Sequence, residues 1–353
     1  MSDSHQSMPP SPPSQLPALD TEADPHDYSD VDSGFGASIP RTTGASENSY
    51  SVTTGSGVYP YVYENGRRYQ VYREGVYMLP NDVEEIERLD RFHDVFLALL
   101  DGKLCIAPVG QGGHRMRHVL DIGTGTGTWA IEMAEEFPDA KVIGNDLSKI
   151  QPPWAPKNCE FEIDDVESDW TYPENHFDFI HLRSLSGCFK DWDMSSTVRW
   201  DLRAVHQSDE PPLSHTAPGG YIEFQDYDAI LNSALGAIPD GAISRYWGLV
   251  SEAALSTGRT FQVASTIEER LKAAGFVDVT VRKEMWPMGL WPKDERMKEI
   301  GRIGRIGLRS AFHAFATALL TRVLGWDKAE VEKLCQEAIQ EVNEGSGQLY
   351  ATA

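Results

Sequence analysis

Cysteine is scarce in this chain. The four, Cys105, Cys159, Cys188 and Cys335, form no C-x-x-C pair and have no histidine at zinc-ligand spacing. A disulfide scaffold and a zinc finger are thereby excluded, no metal site is expected, and reduced thiols in a cytoplasmic or nuclear protein are. Positive charge is also short: 31 Lys+Arg against 54 Asp+Glu leaves a net charge of −23. Such a surface repels phosphate backbones, so nucleic acid is not expected as a direct partner. No stretch approaches the roughly 18 consecutive apolar residues of a membrane span. The first thirty residues are polar, acidic and rich in Pro and Ser, unlike a signal peptide or an Arg-rich transit peptide. There is no GK[ST] after a glycine loop, which excludes a P-loop, and there is no internal repeat.

What is present divides the 353 residues into four parts. Residues 1–55 carry eight acids against Arg41 and hold seven of the 21 prolines, the composition of a disordered acidic tail. Residues 56–110 read as an N-terminal hairpin and helical lid. "YPYVYENGRRYQVY" places two short strands around Asn65-Gly66, a dipeptide suited to a type I′ turn. Asn81 or Asp82 then caps a helix through about Leu100, with Val83, Ile86, Leu89, Phe92, Phe96 and Leu99 on one face.

Residues 111–285 alternate strands and helices. "HVLDIG", "AKVIGND", "CEFEIDDV", "FDFIHLR" and "GGYIEFQDY" are strands, with "TWAIEMAEEF" a helix between the first two. "TIEERLKAAGF" is a later helix ending at Gly275, and "VDVTVRKEMW" alternates as a further strand. This order argues for an α/β fold with a mostly parallel sheet and helices on both faces. Val198, Leu202 and Val205 form one face of a crossover helix, followed by the long polar loop "QSDEPPLSHTAPGG". Residues 286–353 hold C-terminal helices: one over about 310–324 with Phe312, Phe315, Leu319 and Val323 on one face, the next capped by Asp327.

The central motif is Val119-Leu120-Asp121-Ile122-Gly123-Thr124-Gly125-Thr126-Gly127, between a strand and a helix. Glycine removes the Cβ where the backbone turns sharply and a ligand approaches. The spacing is G-x-G-x-G rather than G-x-G-x-x-G, and Asp121 stands directly before it. A carboxylate there opposes a pyrophosphate and suits a ligand carrying an ammonium and a sulfonium. Asp146 ends the next strand, where a ribose-binding acid belongs, about 20 residues past the last glycine. Asp164-Asp165-Val166 ends the third and offers an acceptor for an adenine amino group. Each acid alone reads as a cap or loop residue; the three together, each after its own strand, read as one ligand edge.

These residues resemble the class I S-adenosylmethionine-dependent methyltransferases: "VLDIGTGTG", "VIGNDLS", "DDVE" and "APGGYIEF" look like that family's successive motifs. The resemblance is closer to the fungal LaeA-like methyltransferases. It is carried by "LPNDVEEIERLDRFHDVF", "NDLSKIQPPWAPKNCEFEIDD", "ENHFDFIHLRSLSG" and "GGYIEFQDYD", over about residues 58–335. It implies a Rossmann-like sheet of seven strands, the last antiparallel, and S-adenosylmethionine as cofactor. It also implies methionine-moiety contacts from Asp121, Gly123 and Gly125, within a loop completed by Thr124, Thr126 and Gly127. Ribose contacts fall to Asp146 beside Leu147, and adenine contacts to Asp165 with Val166, while Tyr77, Asn81 and Asp90 close over the cofactor. Two departures stand out: Asn145 where relatives carry a small or apolar residue, and "HQSDEPPLSHT" between the crossover helix and the Pro-Gly-Gly turn.

The resemblance implies methyl transfer to a small secondary metabolite or a protein acceptor, tied to fungal secondary metabolism or its regulation. The alternative is a regulatory heterodimer subunit acting through a protein partner. A nicotinamide oxidoreductase is disfavoured by the glycine spacing and by Asp121. Displacement at a sulfonium methyl needs positioning above all, and a base only where the acceptor sheds a proton early. His181, after the fourth strand, is the candidate catalytic residue lining the acceptor pocket, with Phe179 and Arg183 on the same side by alternation. Gln225 and Asp226 border the site. Trp286, Met288 and Trp291 wall a pocket or fill the core. "RIGRIGLR" presents three arginines, either to a partner or to solvent.

Overall fold

The computed structural model describes residues 53–54, 57–58, 61–72, 77–111, 116–192, 215–236, 238, 240–345 and 348–353. The acidic tail through residue 52, the expected crossover helix with Val198, Leu202 and Val205, and most of the polar loop after it lie outside the described residues.

Strands β1 (Thr53–Thr54) and β2 (Gly57–Val58) pair antiparallel, and β3 (Val62–Glu64) and β4 (Arg67–Tyr69) form a hairpin. The hairpin turn puts Asn65 at φ 54° and Gly66 at φ 85°, the doubly left-handed backbone of a type I′ turn. Helix α1 (Val83–Leu99) starts as expected. Asp82 is the cap, its carboxylate accepting the Glu85 N–H at 3.1 Å. The same carboxylate receives Arg67 through two bonds of 2.7 and 3.0 Å, tying the hairpin to the helix start.

The central sheet comprises β5 (His118–Ile122), β6 (Lys141–Asp146), β7 (Cys159–Ile163), β8 (Phe177–Arg183) and β9 (Thr216–Gln225). Its order is β7-β6-β5-β8-β9, and every pairing is parallel. Parallel strands are covered on both faces, which is why β5 and β8 read as near-continuous apolar runs. Val119 and Phe179 meet Trp129 and Met133 of α2 (Thr128–Glu136), which occupies one face. Past the two-residue β10 (Asn232–Ser233) and α3 (Ala242–Ser256), α4 (Ile267–Ala273) covers the other, packing Ile267 and Leu271 against Leu120, Ile180 and Leu182. The fifth strand keeps its place: after an irregularity between Phe177 and Phe179, His181 faces Glu223 in register.

Three expectations need correction. Among the described residues the central sheet has five strands, not seven. The alternating stretch from Val277 forms no ladder until β11 (Met285–Pro287), because its Val277 and Val281 face solvent. β11 instead pairs with β12 (Leu349–Thr352), which also takes β10, in a separate antiparallel sheet. Finally, the long C-terminal helix α5 (Glu295–Ala318) begins fifteen residues before the expected 310 and runs on through a π-helical turn, Leu319–Val323.

"RIGRIGLR" lies inside α5, where Gly301, Gly304 and Gly307 recur on its buried face. A Cβ on Gly304 would sit 2.6 Å from the Pro287 carbonyl oxygen, and one on Gly307 would sit 2.7 Å from the Phe92 ring. The glycines let the helix approach β11 and α1 at backbone distance. Helix α6 (Lys328–Glu344) carries the expected Asp327 cap, reinforced by a capping box with Glu330. Together α1, α3, α5 and α6 enclose a second core around Phe92, Tyr246, Trp286, Phe312 and Leu334.

Candidate active site

The strand order reverses beside β5, so the crevice beyond the carboxyl ends of β5, β6 and β8 is where a doubly wound sheet takes its ligand. The loop Gly123–Gly127 leaves β5 there. Gly123, Gly125 and Gly127 all have positive φ, at 63°, 56° and 80°. A Cβ on Gly127 would strike the Phe161 ring, whereas one on Gly125 would meet only Leu89, at 3.4 Å. Gly125 therefore faces a cradle that a side chain would fill. Gly127 is the N-cap of α2, so the free N–H groups of the helix start open onto the same crevice.

Asp121, the penultimate residue of β5, is 3 % exposed. One carboxylate oxygen accepts the Thr124 hydroxyl at 2.6 Å; the other lies 2.7 Å from His181 Nδ1. His181 is fully enclosed and stacks on the Trp129 indole at 3.6 Å between centroids. The expected alternation holds, since Phe179, His181 and Arg183 all point to the α1–α2 side: Arg183 donates to His93 Nδ1 at 2.9 Å, and His93 Nε2 lies 3.0 Å from Glu132. Burial pushes the Arg183 guanidinium down to about 10, against the pull of Asp121 and Glu132. The geometry places His181 behind the site, against Asp121, and not on an open pocket wall.

Asp146 ends β6 facing the glycine loop. Its carboxylate accepts the Gly125 N–H at 2.9 Å and the Ser148 N–H at 2.8 Å. Burial nevertheless pushes it up to about 6, against those N–H groups and with the Asp121 charge adding to the rise. Leu147 follows, half-buried. Asn145 sits in the wall with its Oδ1 3.3 Å from the Gly123 N–H, so the departure from relatives adds support to the loop. Asp164 is joined to this edge by its N–H on the Asp146 carbonyl at 3.1 Å. Asp165 forms the following turn, accepting the Glu167 N–H at 3.0 Å. Val166 turns its side chain into the core of the sheet at 7 % exposed. Asp121, the loop, Asp146 and the 164–165 turn thus share one edge.

Beyond β8 the chain turns through Ser184, whose φ of 56° is uncommon for a residue with a Cβ. Its N–H is held by the Gln225 carbonyl at 3.0 Å. Asp226 accepts the N–H groups of Leu185 and Ser186 at 2.8 and 3.0 Å, fixing this turn beside the crevice. Burial pushes Asp226 up to about 6 as well. Gln225 is turned away, donating to the Leu104 carbonyl. Trp286 and Met288 are core residues, and Trp291 donates to the Leu349 carbonyl at 3.1 Å. In "RIGRIGLR", Arg302 pairs with Glu299 on the surface.

Three contacts around the site are not set by its motifs. Gln151 donates to the Gly125 carbonyl at 2.7 Å, bracing the loop from the β6 side. Tyr77 lies half-buried beside Cys188, hydroxyl to sulfur 3.7 Å, and desolvation raises its hydroxyl well above its usual value. Glu85 and Arg88 form a bidentate ion pair, 2.6 and 2.8 Å, at 2 % and 3 % exposed, with the guanidinium 4.6 Å over the Phe92 ring. Only the i,i+3 spacing of opposite charges on α1 signals that pair in the sequence.

A parallel sheet with a glycine loop at its switch point and acids ending successive strands defines a Rossmann-like fold. Residues 86–281 match the family described as "Methyltransferase domain", and the chain belongs to it. It is a methyltransferase. It is 40 % identical to the methyltransferase pytC of Aspergillus terreus over 281 residues, 79 % of this chain and 82 % of that one. It is 36 % identical to the secondary metabolism regulator LAE1 of Cochliobolus heterostrophus, covering 75 % of this chain and 83 % of the other. With the protein-methionine methyltransferase laeA of Emericella nidulans it shares 32 % identity over 79 % of this chain and 71 % of the other.

Proposed function

We propose that the methyl donor is S-adenosylmethionine, held along the carboxyl edge of β5, β6 and β7. The observation that carries this reading is the bond from the Gly125 N–H to Asp146, which draws the glycine loop and the β6 acid together at the switch point. Asp121 takes the ammonium of the methionine arm and Gly123–Gly127 pass beneath that arm. Asp146 beside Leu147 accepts the ribose hydroxyls, and Asp165 with the Val166 backbone borders the adenine. When bound, the donor supplies a methyl carbon bonded to a positively charged sulfur, which leaves as a neutral thioether once the acceptor's lone pair forms the new bond. The protein's part is to orient and to exclude water.

Tyr77, Asn81 and Asp90 support a lid: the Thr128 hydroxyl donates to Asp90 at 3.3 Å, and Asn81 reaches the Ser148 hydroxyl at 3.5 Å. We retain residues 1–55 as a tail, 56–110 as hairpin and lid, 111–285 as the donor-binding domain and 286–353 as the C-terminal helices. The relatives' names favour an acceptor in fungal secondary metabolism, either a small metabolite or a protein, and leave room for a regulatory protein partner. Among the described residues no helix is long and apolar enough to cross a membrane.

Gly125→Val tests the site. Its side chain fills the cradle and strains a backbone at φ 56°, so S-adenosylmethionine binding is lost by calorimetry with the circular dichroism spectrum unchanged. Retained binding in a folded variant refutes the loop reading.

A further inference from the structure

We infer that His181 is a positioning residue for donor binding: it fixes the Asp121 carboxylate and is itself fixed by Trp129. The inference rests on the S-adenosylmethionine reading, in which Asp121 meets the ammonium. Asp121 and His181 lie directly opposite each other across β5 and β8. Nδ1 is 2.7 Å from one carboxylate oxygen, and the Thr124 hydroxyl is 2.6 Å from the other. Each oxygen thus has one inward bond and keeps lone pairs for a cation. Without the imidazole, one oxygen would be buried and unheld, close to the charge of Asp146.

The ring's surroundings leave it this role alone. Its Nε2 is buried with no partner. The ring is 0 % exposed and lies nearly parallel to the Trp129 indole, 4° between planes. Trp129 is anchored in turn by its Nε1 on the Leu104 carbonyl at 2.9 Å. A nitrogen with no route to solvent touches no acceptor molecule, which removes His181 as the base. The imidazole supplies one directed bond, and Asp121 receives it.

The experiment compares two ligands on three variants of the full chain. S-adenosylhomocysteine carries the amino acid arm; 5′-methylthioadenosine lacks it and cannot report on Asp121. His181→Phe keeps an aromatic ring on Trp129 and removes the donor. It is expected to weaken S-adenosylhomocysteine by about tenfold to a hundredfold and to leave 5′-methylthioadenosine within about twofold. His181→Asn, whose amide nitrogen replaces Nδ1, restores most of the loss. His181→Gln, whose amide nitrogen falls at Nε2, does not, and this Asn–Gln contrast decides the matter if the Phe variant fails to fold. Equal weakening of both ligands means a merely structural histidine and overturns the inference. So does unchanged S-adenosylhomocysteine affinity with a loss confined to kcat. If the folded wild-type chain binds neither ligand, the donor reading itself fails.

Discussion

If Asp146 holds the donor's ribose as proposed, donor affinity depends on pH in a way that can be worked out beforehand. Its carboxyl is pushed up to about 6 from an ordinary 3.8 because burial outweighs the N–H groups of Ser148 and Gly125. In the proposed donor pose the ribose hydroxyls donate to the charged form, so binding favours the carboxylate. The dissociation constant therefore rises as pH falls through about 6: about elevenfold at pH 5 relative to the alkaline limit, and only about a tenth at pH 7. Stability of the ligand-free chain moves the opposite way. A carboxyl raised on folding contributes stability that is fully present below its unfolded value and lost as pH rises through the folded one. Asp226 titrates in the same window, so the control is Asp146→Asn, which flattens the affinity profile and leaves the Asp226 contribution to stability. The assay is titration calorimetry of S-adenosylhomocysteine from about pH 5 to 8. A wild-type profile flat across pH 6, or an identical slope in Asp146→Asn, refutes the reasoning.

Other outcomes follow from the packing. Glu85→Leu strands Arg88 in the core and costs about 3–5 kcal/mol; the double variant Glu85→Leu/Arg88→Met recovers most of it in urea unfolding, and additive losses would contradict a coupled pair. Gly304→Ala destabilises by about 1–3 kcal/mol although alanine is the better helix former, because its Cβ meets the Pro287 carbonyl; a gain in stability would mean that α5 is not so close to β11. Asp82→Ala removes both the α1 cap and the Arg67 bond. It is expected to cost about 1–2 kcal/mol and to raise hydrogen exchange in the hairpin, and unchanged exchange there would break the proposed link between hairpin and helix.

The legible parts of the fold were those with local causes. Asn65-Gly66 carries its own turn geometry, Asp82 and Asp327 their own caps, and the runs at β5 and β8 announce strands covered on both faces. That three acids share one edge was legible too, because parallel strands deliver their carboxyl ends to one rim: Asp121, Asp146 and Asp165 lie at or just past those ends. The failures have non-local causes. Gly301, Gly304 and Gly307 weaken a helix locally, and only the approach of Trp286, Pro287 and Phe92 explains them. The alternation from Val277 to Val281 imitates a half-buried strand but has no partner strand among the described residues, while Met285–Pro287 pairs with residues more than sixty positions away. Alternation alone places His181 on a pocket wall. Its actual partners, Asp121 on the neighbouring strand and Trp129 on α2, are set by register and helix packing.

The proposed function stands or falls on whether this edge takes S-adenosylmethionine and not a dinucleotide. Calorimetric titration of the purified full-length chain with S-adenosylmethionine, beside NAD, tests it most directly. Binding of S-adenosylmethionine is expected, lost in Asp146→Ala, with no measurable NAD binding. A well-folded chain that prefers NAD, or binds S-adenosylmethionine equally well without the Asp146 carboxylate, would contradict it.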